Sequence, residues 1–301
     1  MKSGFVSLVG RPNAGKSTLL NRLVGTKLAI VSDKPQTTRT RILGVQNYPE
    51  GQVVYLDTPG IHRPLHRMNV RMVDAAVDTI REVDVLGLVV DASEPPGKGD
   101  EFVLDLIKRA TVPVFLILNK VDLVRKSSLL PTMERYAQMN RFAEIIPLSA
   151  QTGENVERLV RAILAHLPEG EPLYPSDYLT DQPERFLAGE MVREQLLRFT
   201  RAEIPFSSAV VVDRFEEAAG PKGLLRIHAT ILVDRESQKP IVVGRGGEMI
   251  KKIGTAARQE LEAFFDARVF LDLHVRVKSE WREDDRVLHE IGLHGRGGHH
   301  R

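Results

Sequence analysis

The octapeptide GRPNAGKS, residues 10–17, decides how the first half of the chain folds. It fits the pattern G-x-x-x-x-G-K-S, in which a glycine-rich turn points backbone N–H groups at a phosphate. The apolar run FVSLV (5–9) precedes it and an amphipathic helical pattern follows it. The position of this loop between a strand and a helix predicts a phosphate site, in which Lys16 contacts the terminal phosphates and Ser17 binds Mg²⁺.

The apolar runs farther along predict the sheet around that loop. They are short, rich in β-branched residues and unbroken, as strands buried on both faces are. These runs are VVYL (53–56), VLGLVV (85–90), VFLIL (114–118) and IIPL (145–148). Because helical patterns lie between them, the sequence predicts an α/β domain with a mostly parallel sheet over residues 1–168.

Two polar motifs follow strand ends and predict which base is bound. In NKVD (119–122), the Asp122 carboxylate suits the N–H groups of guanine and Asn119 suits its carbonyl side, whereas adenine would leave the aspartate unpaired. In LSA (148–150), a backbone amide is placed to meet the guanine oxygen. The predicted guanine-binding residues are Asn119, Lys120, Asp122, Ser149 and Ala150.

The motif DTPG (57–60) also follows a predicted strand and completes the phosphate site. Asp57 is placed to hold Mg²⁺ through water, and the Gly60 amide to touch a γ-phosphate, because ligands bind at the carboxyl ends of strands in open α/β sheets. The predicted phosphate-binding residues are Gly10, Arg11, Pro12, Asn13, Ala14, Gly15, Lys16, Ser17, Thr18, Asp57, Thr58, Pro59 and Gly60.

Taken together, GRPNAGKS, DTPG, NKVD and SA resemble the signature set of a translation-factor-like GTPase. The stretch SDKPQTTRTR (32–41) resembles the first switch of the Era family. The resemblance implies a two-state switch in which Thr38, favoured here over Thr37, closes over Mg²⁺. The predicted switch residues are Gln36, Thr37, Thr38, Arg39 and Thr40, and the predicted Mg²⁺ ligands are Ser17, Thr38 and, through water, Asp57.

The residue after DTPG bears on hydrolysis. Small Ras-like GTPases carry a glutamine there that positions the attacking water. Ile61 stands in its place, so no catalytic residue is assigned and slow intrinsic hydrolysis is expected. The family resemblance suggests a K⁺ ion, held partly by Asn13, in the part of an arginine finger.

The second half of the chain has a different composition. The proline-rich stretch 169–183 is predicted to be a linker, residues 184–292 a small α+β domain, and residues 293–301 a flexible tail. The domain's predicted elements are a helix over 184–201, strands over 208–217 and 224–234 joined by the turn AAGPKG (218–223), a helix ending near Phe265, a strand over 267–278 and a last helix near 281–291.

A second glycine loop, GRGGEMIKKIG (244–254), lies inside this domain. It lacks the lysine and serine of a nucleotide loop, and its G-x-x-G turn opens an amphipathic helix, as in KH domains that clamp an RNA backbone. The order of elements resembles a type II KH domain; the alternative is a helix start with glycines for tight packing. The predicted RNA-binding residues are Gly244, Arg245, Gly246, Gly247, Lys251 and Lys252.

The resemblance to the Era family extends from about Gly4 to Gly292. It implies a bacterial GTPase of small ribosomal subunit assembly that uses GTP or GDP with Mg²⁺ and binds the 3′ end of the small-subunit ribosomal RNA. An alternative is an RNA-binding assembly factor with a mainly structural nucleotide. A helicase-like ATPase conflicts with Asn119 and Asp122.

Composition sets the remaining expectations. The 301 residues include no cysteine, which favours a cytoplasmic protein. No apolar run approaches the ~20 residues of a membrane span, although attachment at the inner membrane surface stays compatible with the sequence. Net charge is +2, yet residues 235–258 hold six Lys and Arg against two Glu, which suits a local polyanion contact. A monomer is expected.

Overall fold

The computed structural model describes residues 1–61, 66–95, 97–108, 110–139, 141–217 and 223–294. The chain forms two compact units. The first contains the described residues within 1–31, 38–65 and 69–181, and the second contains those within 32–37, 66–68 and 182–301.

A six-stranded sheet forms the centre of the first unit. Its strands are β1 Lys2–Val9, β2 Ile42–Tyr48, β3 Gly51–Asp57, β4 Val85–Asp91, β5 Val114–Asn119 and β6 Glu144–Pro147. The helices in this part of the chain are α1 Lys16–Val24, α2 Arg67–Ile80, α3 Lys98–Ile107, α4 Lys126–Ala137 and α5 Val156–His166. The strand order is β2-β3-β1-β4-β5-β6, and every pairing is parallel except that of β2 with β3. The predicted mostly parallel α/β fold is confirmed.

The strands have unbroken apolar sequences because both faces of this sheet are covered. Alternate residues of one strand enter different cores: Leu8 packs in a cluster with side chains of α1 and α5, whereas Val9 packs in a cluster with side chains of α2 and α3. Because β1, β3, β4 and β5 run the same way, their carboxyl ends meet at one edge, and the predicted motifs follow those ends.

Strand β2 was not predicted from the sequence. Its residues ILGVQNY pair antiparallel with β3 at the edge of the sheet. The strand is held from its other side as well, because the Val45 amide donates to the Leu179 carbonyl at 2.9 Å. Leu179 lies far along the chain, but only two residues separate β2 from β3, so the hairpin is local; the polar residues Gln46 and Asn47 interrupt the apolar pattern of β2.

The stretch predicted as a linker lies along the first unit over residues 169–181. The Gln52 side chain is buried and accepts hydrogen bonds from the backbone amides of Leu173 and Tyr174 at 2.8 and 2.9 Å. The rings of Tyr174 and Tyr178 stack with centroids 4.7 Å apart. These contacts fix the course of the proline-rich chain; the division into functional domains at 168 and 184 stays a prediction.

The second unit contains a three-stranded sheet of order β7-β8-β9, with β7 antiparallel and β9 parallel to the central β8. Its elements are α6 Glu184–Phe199, α7 Ile204–Ser207, β7 Ser208–Glu216, β8 Leu224–Val233, α8 Lys239–Val243, α9 Glu248–Phe265, β9 Arg268–Val277 and α10 Asp285–Glu290. Apolar residues of α6 and α9 pack on one face of the sheet. The predicted turn over 218–223 and the predicted tail lie outside the described residues, except for Gly223, Leu293 and His294.

The parallel pairing of β8 with β9 determines where the second glycine loop lies. A parallel connection needs a long crossover, and here the crossover contains α8, the loop 244–247 and α9. Trp281, on a short 3₁₀ turn after β9, is fully buried and donates its indole N–H to the Ser207 carbonyl at 2.9 Å. Its ring therefore packs inside the unit. None of the described helices is both long and apolar enough to cross a membrane.

Candidate functional site

The phosphate loop lies between β1 and α1 and holds a buried cation. Lys16 is the first residue of α1, and its Nζ donates to the carbonyls of Arg11 at 2.9 Å and Gly10 at 3.2 Å. Burial lowers the pKa of Lys16 from 10.5 to about 8, against the opposing attraction of the Asp57 carboxylate. The loop thus gathers backbone turns and one buried positive charge at a helix N-terminus, which suits phosphate.

The side chain of Asn119 leaves room only for glycine at residue 15. Gly15 has φ 92°, in the left-handed region, and an added Cβ would lie 2.2 Å from the Asn119 Nδ2. That amide nitrogen donates to the Ala14 carbonyl at 2.9 Å, and Oδ1 accepts from the Ala150 amide at 2.9 Å. Asn119 therefore ties the phosphate loop to Ala150 of the LSA motif, a bracing role beyond the base contact predicted for it.

Three oxygen-bearing side chains meet at the proposed Mg²⁺ position. The Ser17 hydroxyl lies 2.7 Å from the Thr38 hydroxyl and donates to Asp57 Oδ2 at 2.7 Å, while Thr38 reaches the same oxygen at 3.4 Å. Asp57 Oδ1 is buried without a hydrogen-bond partner among the described residues. Hydroxyls beside one carboxylate with a spare oxygen fit Mg²⁺, which takes oxygen ligands and keeps several waters.

Burial at this position shifts the pKa of Asp57. Burial raises its pKa from 3.8 to about 6, although Lys16 and the hydrogen bonds from Ser17 and Thr38 act in the opposite direction. Within the described ranges, no group of three His, Cys, Asp or Glu side chains is arranged to hold a metal. A site built from one carboxylate and two hydroxyls is outside that class, so the two findings agree.

The DTPG turn packs directly against the phosphate loop. The Thr58 hydroxyl donates to the Leu8 carbonyl at 2.9 Å, and a Cβ at Gly60 would lie 2.8 Å from Pro12 Cα. The Ile61 amide donates to the Gly10 carbonyl at 3.3 Å. The Ile61 side chain is buried in a hydrophobic core, so it cannot position the attacking water molecule.

The first switch places its two threonines differently. Thr38 joins Ser17 and Asp57, whereas the Thr37 hydroxyl donates to the Lys34 carbonyl at 2.6 Å. Gln36 has φ 61°, and Arg39 and Thr40 are buried. This arrangement favours Thr38 over Thr37 as the Mg²⁺-sensing residue. Asn13, the residue suggested for K⁺, is exposed in the phosphate loop with φ 64°.

The NKVD motif at the end of β5 is organised by a carboxylate that sequence reasoning missed. Lys120 has φ 66°, and its Nζ lies 2.5 Å from Oδ2 of Asp91, the last residue of β4. Burial would raise the pKa of Asp91, but hydrogen bonds from Lys120 and Ser93 hold it below its usual value of 3.8. Asp122 is exposed just beyond, while Ser149 and Ala150 are buried beside Asn119.

Two residues of α1 also belong to the site and were missed. Asn21 Oδ1 accepts from the amides of Leu28 and Ala29, each at 2.9 Å, and so shapes the chain leading to the switch. Arg22 donates to the carbonyls of Ala150 and Gln151. Asp91 could have been found from its place at a strand's carboxyl end; Asn21 and Arg22 lie in a helix and show no such signal.

The glycine loop of the second unit presents backbone and positive charge to solvent. Gly246 and Gly247 have φ 60° and 83°, and a Cβ at either would meet nothing within 4 Å. Arg245 and Lys251 are exposed. The Lys252 Nζ lies 4.4 Å from the Phe199 ring centroid, so this lysine leans toward α6.

Gly244 differs from Gly246 and Gly247, because a Cβ added at residue 244 would lie 2.6 Å from the Met249 amide nitrogen. The backbone at Gly244 therefore packs directly against the first turn of α9. Ile241 on α8 is 48% exposed and was missed as a surface apolar residue close to the loop. An exposed apolar side chain beside a basic glycine turn suits the groove in which KH domains receive unpaired bases.

Comparison with known proteins identifies the family. The family described as "50S ribosome-binding GTPase" matches residues 5–120, and the family described as "KH domain" matches residues 203–282. The GTPase Era of Geobacter metallireducens is 50% identical over 291 residues, covering 97% of each chain. The chain belongs to the Era family of GTPases. The GTPase Era of Geotalea uraniireducens is 52% identical with the same coverage.

Two solved Era structures share the whole fold. One is a variant of Aquifex aeolicus Era bound to GDP and AlF4⁻, and the other is an Era in complex with MgGDPNP and nucleotides 1506–1542 of 16S ribosomal RNA. Each is 42% identical, with a TM-score of 0.93, and covers 98% of this chain and 100% of its own. The predicted family, the GTPase activity and the GTPase–KH fold are confirmed.

Proposed function

We propose that this chain is a GTP-controlled switch that binds single-stranded small-subunit ribosomal RNA through its KH domain and acts in small-subunit assembly. The observation that carries the proposal is the presence, on one chain, of a complete GTP site and an exposed basic G-x-x-G turn. The Era complex with MgGDPNP and 16S ribosomal RNA supports it, because that relative matches this chain over nearly its entire length.

The proposed nucleotide contacts follow from the first unit. The loop 10–18 and the turn 57–60 hold the phosphates, and the guanine is read by Asn119, Lys120, Asp122 and the loop 149–150. Ser17, Thr38 and, through water, Asp57 would hold Mg²⁺. When bound, this ion neutralises charge on the β- and γ-phosphates.

Hydrolysis is proposed to be slow without help. The Ile61 side chain is buried and apolar, so it cannot orient water. A K⁺ ion held partly by Asn13 is proposed to supply the missing positive charge. Turnover in K⁺ should exceed turnover in Na⁺ at equal ionic strength, with Asn13→Ala removing the difference; equal rates for the native protein would contradict the K⁺ site.

The proposed RNA contacts are Gly244, Arg245, Gly246, Gly247, Lys251 and Lys252. The family description that names the 50S particle applies to residues 5–120 only, whereas the Era bound to 16S RNA covers 98% of the chain. The longer match carries more weight, and we therefore propose the small subunit as the partner. Association with the phosphate backbone would be supported by the local positive charge of residues 235–258.

We also propose that the protein is a cytoplasmic monomer with peripheral attachment at the inner membrane surface. The absence of cysteine from the sequence supports the cytoplasm. The basic stretch 235–258 would be attracted to anionic lipid by the same charge that attracts RNA. Co-sedimentation with vesicles containing anionic lipid, with and without competing RNA, tests the attachment.

The alternative is an RNA-binding assembly factor whose nucleotide is mainly structural. Its supporting observation is the buried Ile61 in place of a water-positioning side chain. The deciding experiment is a titration of a labelled single strand, ending as the small-subunit RNA ends, into protein loaded with GDP or a non-hydrolysable GTP analogue. Tighter binding with the analogue supports the switch, and equal binding supports the alternative.

A further inference from the structure

Arg22 donates hydrogen bonds to the backbone of residues 149–151, a segment named the guanine loop because it is proposed to meet the guanine oxygen. Arg22 lies on α1, six residues beyond Lys16, on the helix that begins at the phosphate site. Its Nε donates to the Ala150 carbonyl at 3.2 Å and its Nη2 donates to the Gln151 carbonyl at 2.6 Å. A guanidinium has a planar fork of donors, so one side chain can fix two successive carbonyls.

The guanine loop is held from its other side by Asn119. The Ala150 amide donates to Asn119 Oδ1 at 2.9 Å, while the Ala150 carbonyl accepts from Arg22. Both polar groups of one residue are therefore fixed, one through β5 and one through α1. Removing either restraint leaves Ala150 tied on a single side.

A pocket is lined by Arg22 together with Ala150 and Gln151. It measures ≈ 390 Å³ and lies between the end of α1, the chain around Thr26 and the guanine loop. Its lining includes Ala150 and Thr18, which follows Ser17 of the proposed Mg²⁺ site. Arg22 lines the same pocket, together with Thr18 of the proposed phosphate site and Ala150 of the proposed guanine site.

We propose that Arg22 is a positioning residue for guanine: by clamping the carbonyls of Ala150 and Gln151 it holds the backbone of residues 149–151 in place beside the base oxygen. Arg22 acts through the backbone of Ala150 and Gln151, which its guanidinium contacts. The inference rests on the proposed guanine site. It predicts that Arg22 sets both the lifetime of the bound nucleotide and the preference for a base that carries an oxygen at position 6.

The experiment compares full-length Arg22→Met, Arg22→Lys and the native protein. Arg161→Met is the matched control, because Arg161 is exposed on α5 of the same unit and has no role in the loop. Two quantities are measured: the release rate of fluorescently labelled GDP, and the affinity for GDP relative to 2-aminopurine riboside diphosphate, which lacks the base oxygen.

Arg22→Met should release GDP about tenfold faster and lose about tenfold of its preference for GDP, the size expected for lost hydrogen bonds from a charged donor. Arg22→Lys, with one donor group, should fall between, and Arg161→Met should match the native protein. Thermal unfolding checks that all variants are folded.

The contrary outcomes distinguish failure of the role proposed for Arg22 from failure of the proposed guanine site. A native preference for GDP that Arg22→Met keeps unchanged would overturn the role of Arg22 alone. Equal weakening of both nucleotides would also overturn it, since the loss would then be general. A native protein that does not prefer GDP over the 2-aminopurine analogue would remove the proposed guanine site and this inference with it.

Discussion

The Ser17 hydroxyl donates to Oδ2 of Asp57 at 2.7 Å, joining the first turn of α1 to the last residue of β3. The two residues lie on different motifs 40 positions apart in the chain. Their contact shows that the site is assembled in the folded protein itself. The other Asp57 oxygen remains without a partner among the described residues, so the same carboxylate has capacity for a further contact.

Asp57 should make the nucleotide-free, Mg²⁺-free protein less stable as pH rises. Burial raises its pKa from 3.8 to about 6, so between these values the folded state holds a proton that the unfolded state has lost. Stability from this group is therefore present below about pH 4 and lost by about pH 6, on the order of 3 kcal/mol.

Urea unfolding of native protein and Asp57→Asn in a chelator, from pH 4 to pH 7, measures this effect. Asn does not titrate, so the stability of the variant relative to native should grow with pH. A constant difference between the two proteins would show that Asp57 has an ordinary pKa.

Gly15→Ala should abolish most nucleotide binding. The new Cβ would lie 2.2 Å from Asn119 Nδ2, which must move and give up its bonds to Ala14 and Ala150. We expect GDP affinity to fall roughly 100-fold, as for two lost buried hydrogen bonds. Isothermal titration with GDP measures the loss.

Gly25→Ala is the matched control for Gly15. Gly25 also has a positive φ, 78°, but its Cβ would meet nothing within 4 Å. It should cost about 1 kcal/mol of stability through backbone strain and leave GDP affinity within about twofold. If both variants bound GDP equally well, the brace through Asn119 would be unimportant.

Asp91→Asn should shorten the lifetime of bound GDP. The carboxylate lies 2.5 Å from Lys120 Nζ, and a neutral amide would hold that lysine less firmly. We expect release to accelerate roughly three- to tenfold, in line with one weakened charge-assisted bond. Asp84→Asn, at the opposite end of β4 where the carboxylate accepts from the Phe5 amide, should leave the release rate unchanged. Equal effects at both ends would point to general loosening of the strand.

Gly246→Asp should weaken RNA binding without altering GDP affinity. Gly246 has φ 60° and open space at its Cβ, and Asp and Asn both tolerate this backbone region. The carboxylate would face RNA phosphates, so we expect at least about tenfold weaker binding, while the isosteric Gly246→Asn should retain most affinity. Fluorescence anisotropy with a single-stranded RNA measures both. Unchanged RNA affinity of the Asp variant would count against the loop as the RNA contact.

The site was predictable from sequence where function depends on backbone chemistry within a few residues. Lys16 and Ser17 follow a glycine turn, and Asn119 ends a strand, so each motif indicates its own local structure. What Asn119 does beyond the base was not predictable, since Ala14 and Ala150 are its neighbours only in space.

Long-range contacts explain what the sequence failed to predict. Strand β2 has a weak pattern and depends on β3 and on Leu179 for its hydrogen bonds. Arg22 looks like any exposed helical arginine until the fold brings residue 150 beside it. Leu179 and residue 150 are each more than a hundred residues from the residue they contact, beyond the reach of periodicity, whereas the pairing of β2 with β3 is a local hairpin.

Trp281 gives the protein a built-in optical reporter. It is the single tryptophan of the chain, fully buried, with its indole N–H bonded to the Ser207 carbonyl. Its emission therefore comes entirely from the second unit and should shift to the red when that unit opens to water. The five tyrosines include Tyr48, Tyr55, Tyr136, Tyr174 and Tyr178, all in the first unit. Selective excitation of the tryptophan thus follows the melting of one half of the molecule without labels and without dividing the chain.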